Sequence, residues 1–195
     1  MAGKNKYFFV DAELEYAKVF EANRDMGNEQ VDHSDTDGVY TVNITVDEDT
    51  KNRLIEGGFP AKQGAYETFK AKGDGKFGYK ARRPHKHAFW TVKDENGQDT
   101  GQPVIFGPPR VFDYNQAAKA WEDAGRAGKF EDYITPWTIE DGLIGNGSKA
   151  TVKLKVENGV GSIGKAKGKP FQKVTLEAIA LKDVVVYEKE NAEWY

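Results

Sequence analysis

Residues 149 to 156, KATVKLKV, decide the fold class of this chain. Apolar residues occupy the even positions of this stretch and polar residues the odd ones, a period of two that predicts a half-buried β-strand. The side chains expected to face the core are Ala150, Val152, Leu154 and Val156. The outward face is almost entirely lysine, so this strand combines a core with a positively charged surface.

A second stretch repeats the alternation nearer the start of the chain. GVYTVNITV, residues 38–46, predicts another half-buried strand. The following DEDTKNRLIEGG opens on acidic residues that can cap a helix and closes on Gly57 and Gly58, which predicts a short helix. PAKQGAYETFKAKG, from Pro60, is a second helical candidate, weakened by Gly64.

The middle of the chain predicts further strands and one more helix. KFGYKARRPHKHAFWTV, residues 76–92, is rich in aromatic and β-branched residues and is broken at Pro84, which indicates either two strand pieces or an edge strand with a bulge. ENGQDTG then predicts a turn, and residues 104–106 predict a short strand. Asp113 is expected to cap a helix over YNQAAKAWEDAG.

The end of the chain predicts a loop and a final strand. NGVGSIGKAKGKP, residues 158–170, is rich in Gly and Lys and predicts a long mobile loop. FQKVTLEAIALKDVVVYE, from Phe171, predicts an apolar, central strand. The whole pattern indicates a mainly β fold with inserted helices, of the α+β class, forming a small β-barrel. We expect one domain over residues 1–187 and a short acidic, aromatic tail over residues 188–195.

The composition excludes several kinds of site. The chain has no cysteine, so it forms no disulfide, thiolate zinc site or thiol nucleophile. His85 and His87 could form a metal-binding pair, but no third ligand stands at a convincing spacing. G-x-x-x-x-G-K-[ST] and G-x-S-x-G motifs are absent. We therefore expect no catalysis and no cofactor. Because there is no long apolar run, we expect the chain neither to span a membrane nor to be exported.

Charge is unevenly distributed along the chain. The net charge of -3 argues mildly against a nucleic-acid partner. However, residues 62–93 carry +7 and residues 145–173 carry +6, while the three remaining blocks are acidic. Segregation of this kind predicts a local basic surface, which the overall charge conceals.

The two basic blocks interleave cations with aromatic rings. A surface for single-stranded nucleic acid needs both, because phosphates contact cations and bases stack on exposed rings. Either ring of the Phe89–Trp90 pair could belong to the core, but alternation along a strand cannot bury both. Edge-strand lysines could equally serve to prevent aggregation. The residues predicted to bind single-stranded DNA are Lys72, Lys76, Phe77, Tyr79, Lys80, Arg82, Arg83, His85, Lys86, Phe89, Trp90, Lys149, Lys153, Lys155, Lys165, Lys167, Lys169 and Phe171.

Several motifs resemble, in order, the single-stranded-DNA-binding proteins of T7-like short-tailed bacteriophages. They are EYAKVF (15–20), GNE (27–29), GVYTVNITV (38–46), LIGNGSKATVKLKV (143–156) and VTLEAIALKDVVVYE (174–188). The resemblance implies a five-stranded oligonucleotide-binding β-barrel (OB-fold) and a role in phage replication, recombination and strand annealing in the cytoplasm of an infected bacterium. Residues 60–135 match only in general character.

The resemblance also implies partners, with one departure from the family pattern. Such proteins carry a long acidic tail that ends in an aromatic residue and contacts DNA polymerase and helicase-primase, and they can form dimers. Here the ending, YEKENAEWY, keeps the acidic and aromatic character in a much shorter form, and recruitment of polymerase or helicase-primase and a homodimer are what the resemblance implies. The candidate partner-binding residues are Glu190, Glu193, Trp194 and Tyr195.

Two other functions are compatible with the sequence. A virion structural or interaction protein could pair its charge blocks across a subunit interface and would self-associate in a salt-sensitive way. A metal-dependent nuclease could use some of the 31 carboxylates, although none of them stands out. Within IGNGSK, Ser148 and Lys149 could contact a phosphate, and a purely structural turn fits this motif equally well.

Overall fold

The computed structural model of the chain describes residues 5–161 and 167–187. Fifteen strands are numbered in chain order: β1 (Lys6–Lys18), β2 (Gly27–Asn28), β3 (Val31–Asp32), β4 (Val39–Asp47), β5 (Lys62–Gln63), β6 (Tyr66–Glu67), β7 (Lys70–Gly73), β8 (Lys76–Pro84), β9 (Lys86–Lys93), β10 (Asp99–Ile105), β11 (Arg110–Asp113), β12 (Leu143–Ile144), β13 (Ser148–Val160), β14 (Pro170–Asp183) and β15 (Val186–Tyr187). Two α-helices accompany them: α1 (Glu48–Glu56) and α2 (Tyr114–Asp123). Four single turns of 3-10 helix lie at Glu21–Asn23, Ser34–Thr36, Phe130–Tyr133 and Ile139–Asp141.

One large sheet organises the molecule. Its seven strands run in the order β11-β14-β13-β1-β4-β8-β7, and every neighbouring pair is antiparallel except β11 and β14. The mainly β class with inserted helices is therefore confirmed. Within the described residues no ladder joins the edges of this sheet, so the predicted five-stranded barrel is not present as a closed ring of backbone hydrogen bonds.

The core lies against the face of the sheet that the alternating residues predict. Val152 and Leu154 of β13 are fully buried, and so are Leu14 of β1 and Ile44 of β4, which lie directly opposite each other. The lysines at the odd positions of β13 point to the opposite, outer face. This two-sided strand fixes the register of the sheet, because a slip of one residue would bury the lysines.

Both predicted helix caps are confirmed. The Asp47 carboxylate accepts a hydrogen bond from the Thr50 amide at 2.7 Å, which starts α1. The Asp113 carboxylate accepts one from the Gln116 amide at 3.0 Å, which starts α2. A side-chain acceptor at this position satisfies an amide that has no partner within the helix.

The helix predicted from Pro60 is wrong. Residues 62–67 form a tight hairpin of β5 and β6, and Gly64 at its turn has a φ of +63°. Phe69 then enters the core against Phe59 and Tyr79. Burial of that ring and pairing of β7 with β8 outweigh the weak helical preference of the segment.

The loop predicted over residues 158–170 is much shorter than expected. β13 continues to Val160 and β14 begins at Pro170, which pairs directly with it. Gly159 makes this extension possible, because a Cβ there would lie 2.5 Å from the Phe171 ring. The glycine that suggested a loop thus provides room for an aromatic side chain on the neighbouring strand.

The strands β9 and β10 form a separate hairpin next to the large sheet. The predicted break at Pro84 is confirmed, and the His85 backbone anchors the hairpin: its carbonyl accepts from Phe106 and Gly107, and its amide donates to Gly38. No α-helix within the described ranges is both long and apolar enough to span a membrane.

Candidate nucleic-acid interface

A continuous concave surface, here called the groove, runs across the outer side of the sheet. Its first segment lies over β4, β7 and β8. Cations line it from two strands, and two exposed tyrosines flank them. The lining includes Lys70, Lys72, Lys80, Arg82, Tyr16 and Tyr66, together with the carboxylates of Glu15 and Glu67 and the edge of Tyr79.

The groove continues past the β5–β6 hairpin to the start of β14. This second segment contains Lys62, Phe171 and Lys173, and it shares Gln63 and Val174 with the first. The Phe171 ring is 48% exposed, which leaves it available for stacking. The shared residues make the two segments one surface.

The third segment lies between β13, β14 and the β9–β10 hairpin. It shares Phe171, Lys173, Asn158 and Gly159 with the second segment. Trp90, His87 and Phe106 form its hairpin wall, while Lys155 lines it from β13 and Arg83 from the end of β8. The groove therefore brings together residues from both basic blocks of the sequence.

The cations of the groove differ in how far they are already neutralised. Lys72 binds the Glu15 carboxylate and the Thr45 hydroxyl, and the ammonium group of Lys80 lies 3.8 Å from Asp25. Among the described residues, no carboxylate lies within 4.0 Å of the charged groups of Lys70, Arg82 or Lys173. These three side chains are the ones best able to contact a phosphate.

An aromatic stack is formed in advance on the hairpin wall. The rings of His87 and Trp90 are stacked, with their centroids 4.1 Å apart and an angle of 6° between the ring planes. The His87 Nδ1 atom accepts hydrogen bonds from the amides of Phe89 and Trp90 at 3.1 and 2.9 Å. Trp90 is nevertheless 66% exposed, so the ring is fixed in place with much of its surface open.

We expect a pH effect from His87. Desolvation, followed by the charge of Lys173, lowers the pKa of His87 below its ordinary value of 6.5. The unfolded chain therefore binds the proton more readily, so the contribution of this group to stability is lost as the pH falls below about 6.5. Urea unfolding at pH 7.5 and 5.5 should show a fall in stability that is smaller in His87→Gln. An equal fall in both proteins would contradict this assignment.

Arg83 acts as a positioning residue within the groove. Its guanidinium donates to the carbonyls of Phe106 and Gly107 at 3.0 and 2.9 Å and lies 3.3 Å from the Glu177 carboxylate. The side chain thus ties the hairpin to β14. Its predicted role as a direct DNA contact is not supported, because its charge and donors are already engaged.

Two predicted contact residues belong to the interior. Tyr79 is 8% exposed and packs against Phe59 and Phe69, and burial raises its pKa to about 12. His85 is 9% exposed, and its Nδ1 atom lies 2.6 Å from the Tyr40 hydroxyl. Tyr79 faces the core side of β8 and only borders the first segment of the groove, and His85 lies between β8 and β9, so little of either ring is open to a base.

The remaining predicted residues are scattered around the groove. Phe77 packs against the core beneath the Lys51 ammonium group, which lies 3.7 Å from its ring centre. The side chains Lys76, Lys86, Phe89, Lys149 and Lys153 are on the surface but do not line the groove. Lys167 and Lys169 lie at the end of an undescribed segment. Outside the described residues lie Lys165, Glu190, Glu193, Trp194 and Tyr195.

The IGNGSK turn is structural. Ser148 is fully buried, and its hydroxyl donates to the Gly145 carbonyl at 2.8 Å and accepts from the Val185 amide at 2.9 Å. Gly147 has a φ of +89°, whereas Gly145 is close to the Val185 carbonyl. Ser148 is therefore not free to bind a phosphate.

Sequence reasoning missed several residues of the groove. The groove is also lined by Tyr16, Tyr66, Lys62 and Lys70, from segments with no strong strand signal, and by Phe106, at the end of the strand expected over residues 104–106. A usable signal did exist at Tyr66, where an aromatic residue stands between lysines in the first basic block. Within the described part of the chain, no group of three or more His, Asp and Glu side chains is arranged to hold a metal ion.

Comparison with solved structures identifies a similar fold. The chain superimposes on gp2.5, a single-stranded DNA binding protein encoded by bacteriophage T7, with a TM-score of 0.50 and 18% sequence identity, covering 98% of this chain and 93% of gp2.5. The fold of this chain is similar to that of gp2.5. The likeness to the T7-like proteins expected from the sequence motifs is thus confirmed at the level of structure.

A second solved structure is more distant. The single-stranded DNA-binding protein of bacteriophage Enc34, in a C-terminally truncated form, matches with a TM-score of 0.44 and 9% identity, covering 93% of this chain and 87% of that protein. No family model matches the sequence, and no curated protein matches it.

Proposed function

We propose that this chain binds single-stranded DNA in the groove, with little sequence preference and without catalysis. The observation that carries the proposal is the continuity of the groove, in which cations alternate with exposed aromatic rings over three connected segments. Trp90 and Phe171 offer faces to bases, and Lys70, Arg82 and Lys173 offer charge to phosphates. The fold shared with gp2.5 is consistent with this function.

The physical basis of this binding is stacking together with counterion release. Every base has a π-face, so stacking on Trp90 or Phe171 tolerates any sequence. Each lysine or arginine that neutralises a phosphate releases a condensed cation from the DNA. Neither term reads the edges of the bases, which explains why a low sequence preference is expected.

The same proposal extends to the finer description of the fold. We infer that β14, β13, β1, β4 and β8 correspond to an oligonucleotide-binding barrel that is closed by side chains between β8 and β14. Arg83 of β8 supports this, because its guanidinium approaches the Leu176 carbonyl of β14 at 3.5 Å and the Glu177 carboxylate at 3.3 Å. Residues 1–187 would then form this domain.

The biological setting is also part of the proposal. The motifs shared with T7-like phage proteins support action in the cytoplasm of an infected bacterium, where the chain would protect and organise single-stranded DNA during replication and recombination. We propose residues 188–195 as a tail that could contact a phage polymerase or helicase-primase, and a homodimer as the assembly to test.

Salt dependence provides the direct test. If Lys70, Arg82 and Lys173 each neutralise one phosphate, the logarithm of the binding constant for oligo(dT) should fall with the logarithm of salt concentration with a slope of about -2. Quenching of the fluorescence of the four tryptophans, measured between about 50 and about 200 mM salt, gives this slope. Oligo(U) and duplex DNA are titrated under the same conditions for comparison with oligo(dT).

Three outcomes would argue against single-stranded DNA binding. An affinity that hardly changes with salt would show that the cations of the groove do not contact phosphates. Salt-sensitive self-association without binding of oligo(dT) would favour a structural protein. Degradation of the oligonucleotide that depends on a divalent metal would favour a nuclease.

A further inference from the structure

Two exposed aromatic rings on β1 lie outside the groove. Tyr7 is 48% exposed and Phe9 is 67% exposed. The two residues are two positions apart on one strand, so their side chains project from the same face, about 7 Å apart. This is the outer face, because the intervening and following residues Phe8 and Val10 turn towards the core.

A lysine on the neighbouring strand completes this surface. The Lys153 ammonium group lies 4.8 Å from the centre of the Tyr7 ring and 5.6 Å from that of Phe9. Phe9 stands directly opposite Lys153 in the register of β1 and β13, and the other neighbour of Lys153 is the small residue Ala178. Among the described residues, Lys153 has no carboxylate within 4.0 Å. Its charge is thus available to a phosphate.

The surface formed by Tyr7, Phe9 and Lys153 adjoins the groove. Asn5 lines the third segment of the groove and lies two positions before Tyr7, immediately before β1 begins. Lys155 lines the same segment and is directly opposite Tyr7 in the register. Directly opposed residues in an antiparallel pair have Cβ atoms about 5 Å apart. Single-stranded DNA that leaves the groove at Lys155 would therefore reach Tyr7 directly.

We propose that Tyr7 and Phe9 form a second stacking platform, on which single-stranded DNA continues after it leaves the groove, with Lys153 contacting the phosphate between the two bases. This inference rests on the proposed function of the groove. A lysine side chain is a flexible point charge, so Lys153 can leave the rings when bases arrive and follow the phosphate. The charge of this lysine favours nucleic acid as the occupant over an apolar partner.

The platform has a defined end. The next outward residue on β1 after Phe9 is Asp11, which accepts hydrogen bonds from Thr151 and from Lys182. These two hydrogen bonds, first that of Thr151, lower the pKa of Asp11, and its carboxylate is paired with Lys182, so Asp11 offers neither a ring for stacking nor a free cation for a phosphate. The platform therefore accommodates about two bases, one on each ring.

The experiment compares binding of oligo(dT) of increasing length to the wild-type chain and to Tyr7→Ala/Phe9→Ala. The lengths run from about 4 to about 16 nucleotides, the range of site sizes known for barrels of the proposed type. Fluorescence anisotropy of labelled DNA gives the affinities. Short oligonucleotides that fill only the groove should bind both proteins equally, whereas the longest should bind the double variant at least about fivefold more weakly.

Tyr187→Ala is the matched control, because Tyr187 is 49% exposed and borders a separate cavity with Ile139 and Val186. It should bind all lengths as the wild type does. Equal affinity of the double variant and the wild type at every length would overturn the platform while leaving the groove intact. The same binding result, with self-association lost in sedimentation of the double variant, would assign Tyr7 and Phe9 to a contact between copies. Failure of the wild type to bind any oligo(dT) would instead reject the proposed function.

Discussion

Replacing Trp90 with alanine should weaken the binding of oligo(dT) by roughly 5- to 150-fold. Loss of one stacked base costs about 1 to 3 kcal/mol, which corresponds to this range of affinities. The effect should be near the upper end because the Trp90 ring is held parallel to His87 before DNA binds. Fluorescence anisotropy with labelled oligo(dT) at low salt measures it without relying on the tryptophan that has been removed.

The reason for a large effect is that little ordering remains to be done. The Nδ1 atom of His87 accepts a hydrogen bond from the backbone amide of Trp90, and the His87 ring covers one face of the indole. Immobilising a free side chain on binding costs about 0.5 to 1.5 kcal/mol. At Trp90 much of this cost is met during folding, so more of the stacking energy contributes to affinity.

Phe89→Ala is the matched control for Trp90→Ala. Phe89 is 75% exposed and lies on the same strand, but it does not line the groove. Its removal should change the affinity by no more than about twofold, or about 0.4 kcal/mol. Equal losses in the two variants would mean that the hairpin binds through its whole surface and that the groove is wrongly placed.

The strands with strict alternation could be predicted from sequence, and the groove only in part. Alternation on β4 and β13 reports burial directly, since one face of each strand meets the core. The sequence of the Phe89–Trp90 pair states only that both rings cannot be buried together. Which of the two rings faces the groove depends on the irregular backbone after His87, where the His87 Nδ1 atom accepts hydrogen bonds from the amides of both Phe89 and Trp90.

The segregation of charge along the sequence predicted a basic surface, but it did not predict which lysines and arginines of that surface are free to bind phosphate. Lys72 and Lys80 stand in the first basic block and do reach the groove, yet each is near a carboxylate from a distant segment, Glu15 or Asp25. Those pairs arise from tertiary structure, because the partners are more than 50 positions away in the chain. A list of cations from sequence therefore overstates the charge that is free to bind phosphate.

Aromatic residues next to cations are equally ambiguous. Tyr79 lies between Phe77 and Lys80 in a segment that predicts DNA contact, but its position on β8 turns it towards the core. Ile44 stands opposite it on β4, on the buried face. The parity of a residue within its strand, once the register is known, separates a core tyrosine from a stacking one.

Tyr79→Ala should lower the free energy of unfolding by about 3 to 5 kcal/mol, the cost of deleting a buried aromatic side chain. The ring packs against Phe59 and Phe69 at centroid distances of 5.6 and 5.7 Å, and removing it leaves a cavity in that cluster. Domains are typically stable by only about 5 to 15 kcal/mol, so the variant should be close to unfolding. Urea denaturation followed by circular dichroism measures the loss.

Two further variants separate the packing role of Tyr79 from the contact role that its sequence context suggests. Tyr79→Phe keeps the ring and should lie within about 1 kcal/mol of the wild type, because only the hydroxyl is lost. Tyr79→Leu keeps an apolar side chain but no ring, so at a temperature where it is folded its affinity for oligo(dT) should stay within about twofold of the wild type. A larger loss of affinity in folded Tyr79→Leu would show that the ring, which borders the first segment of the groove, reaches DNA.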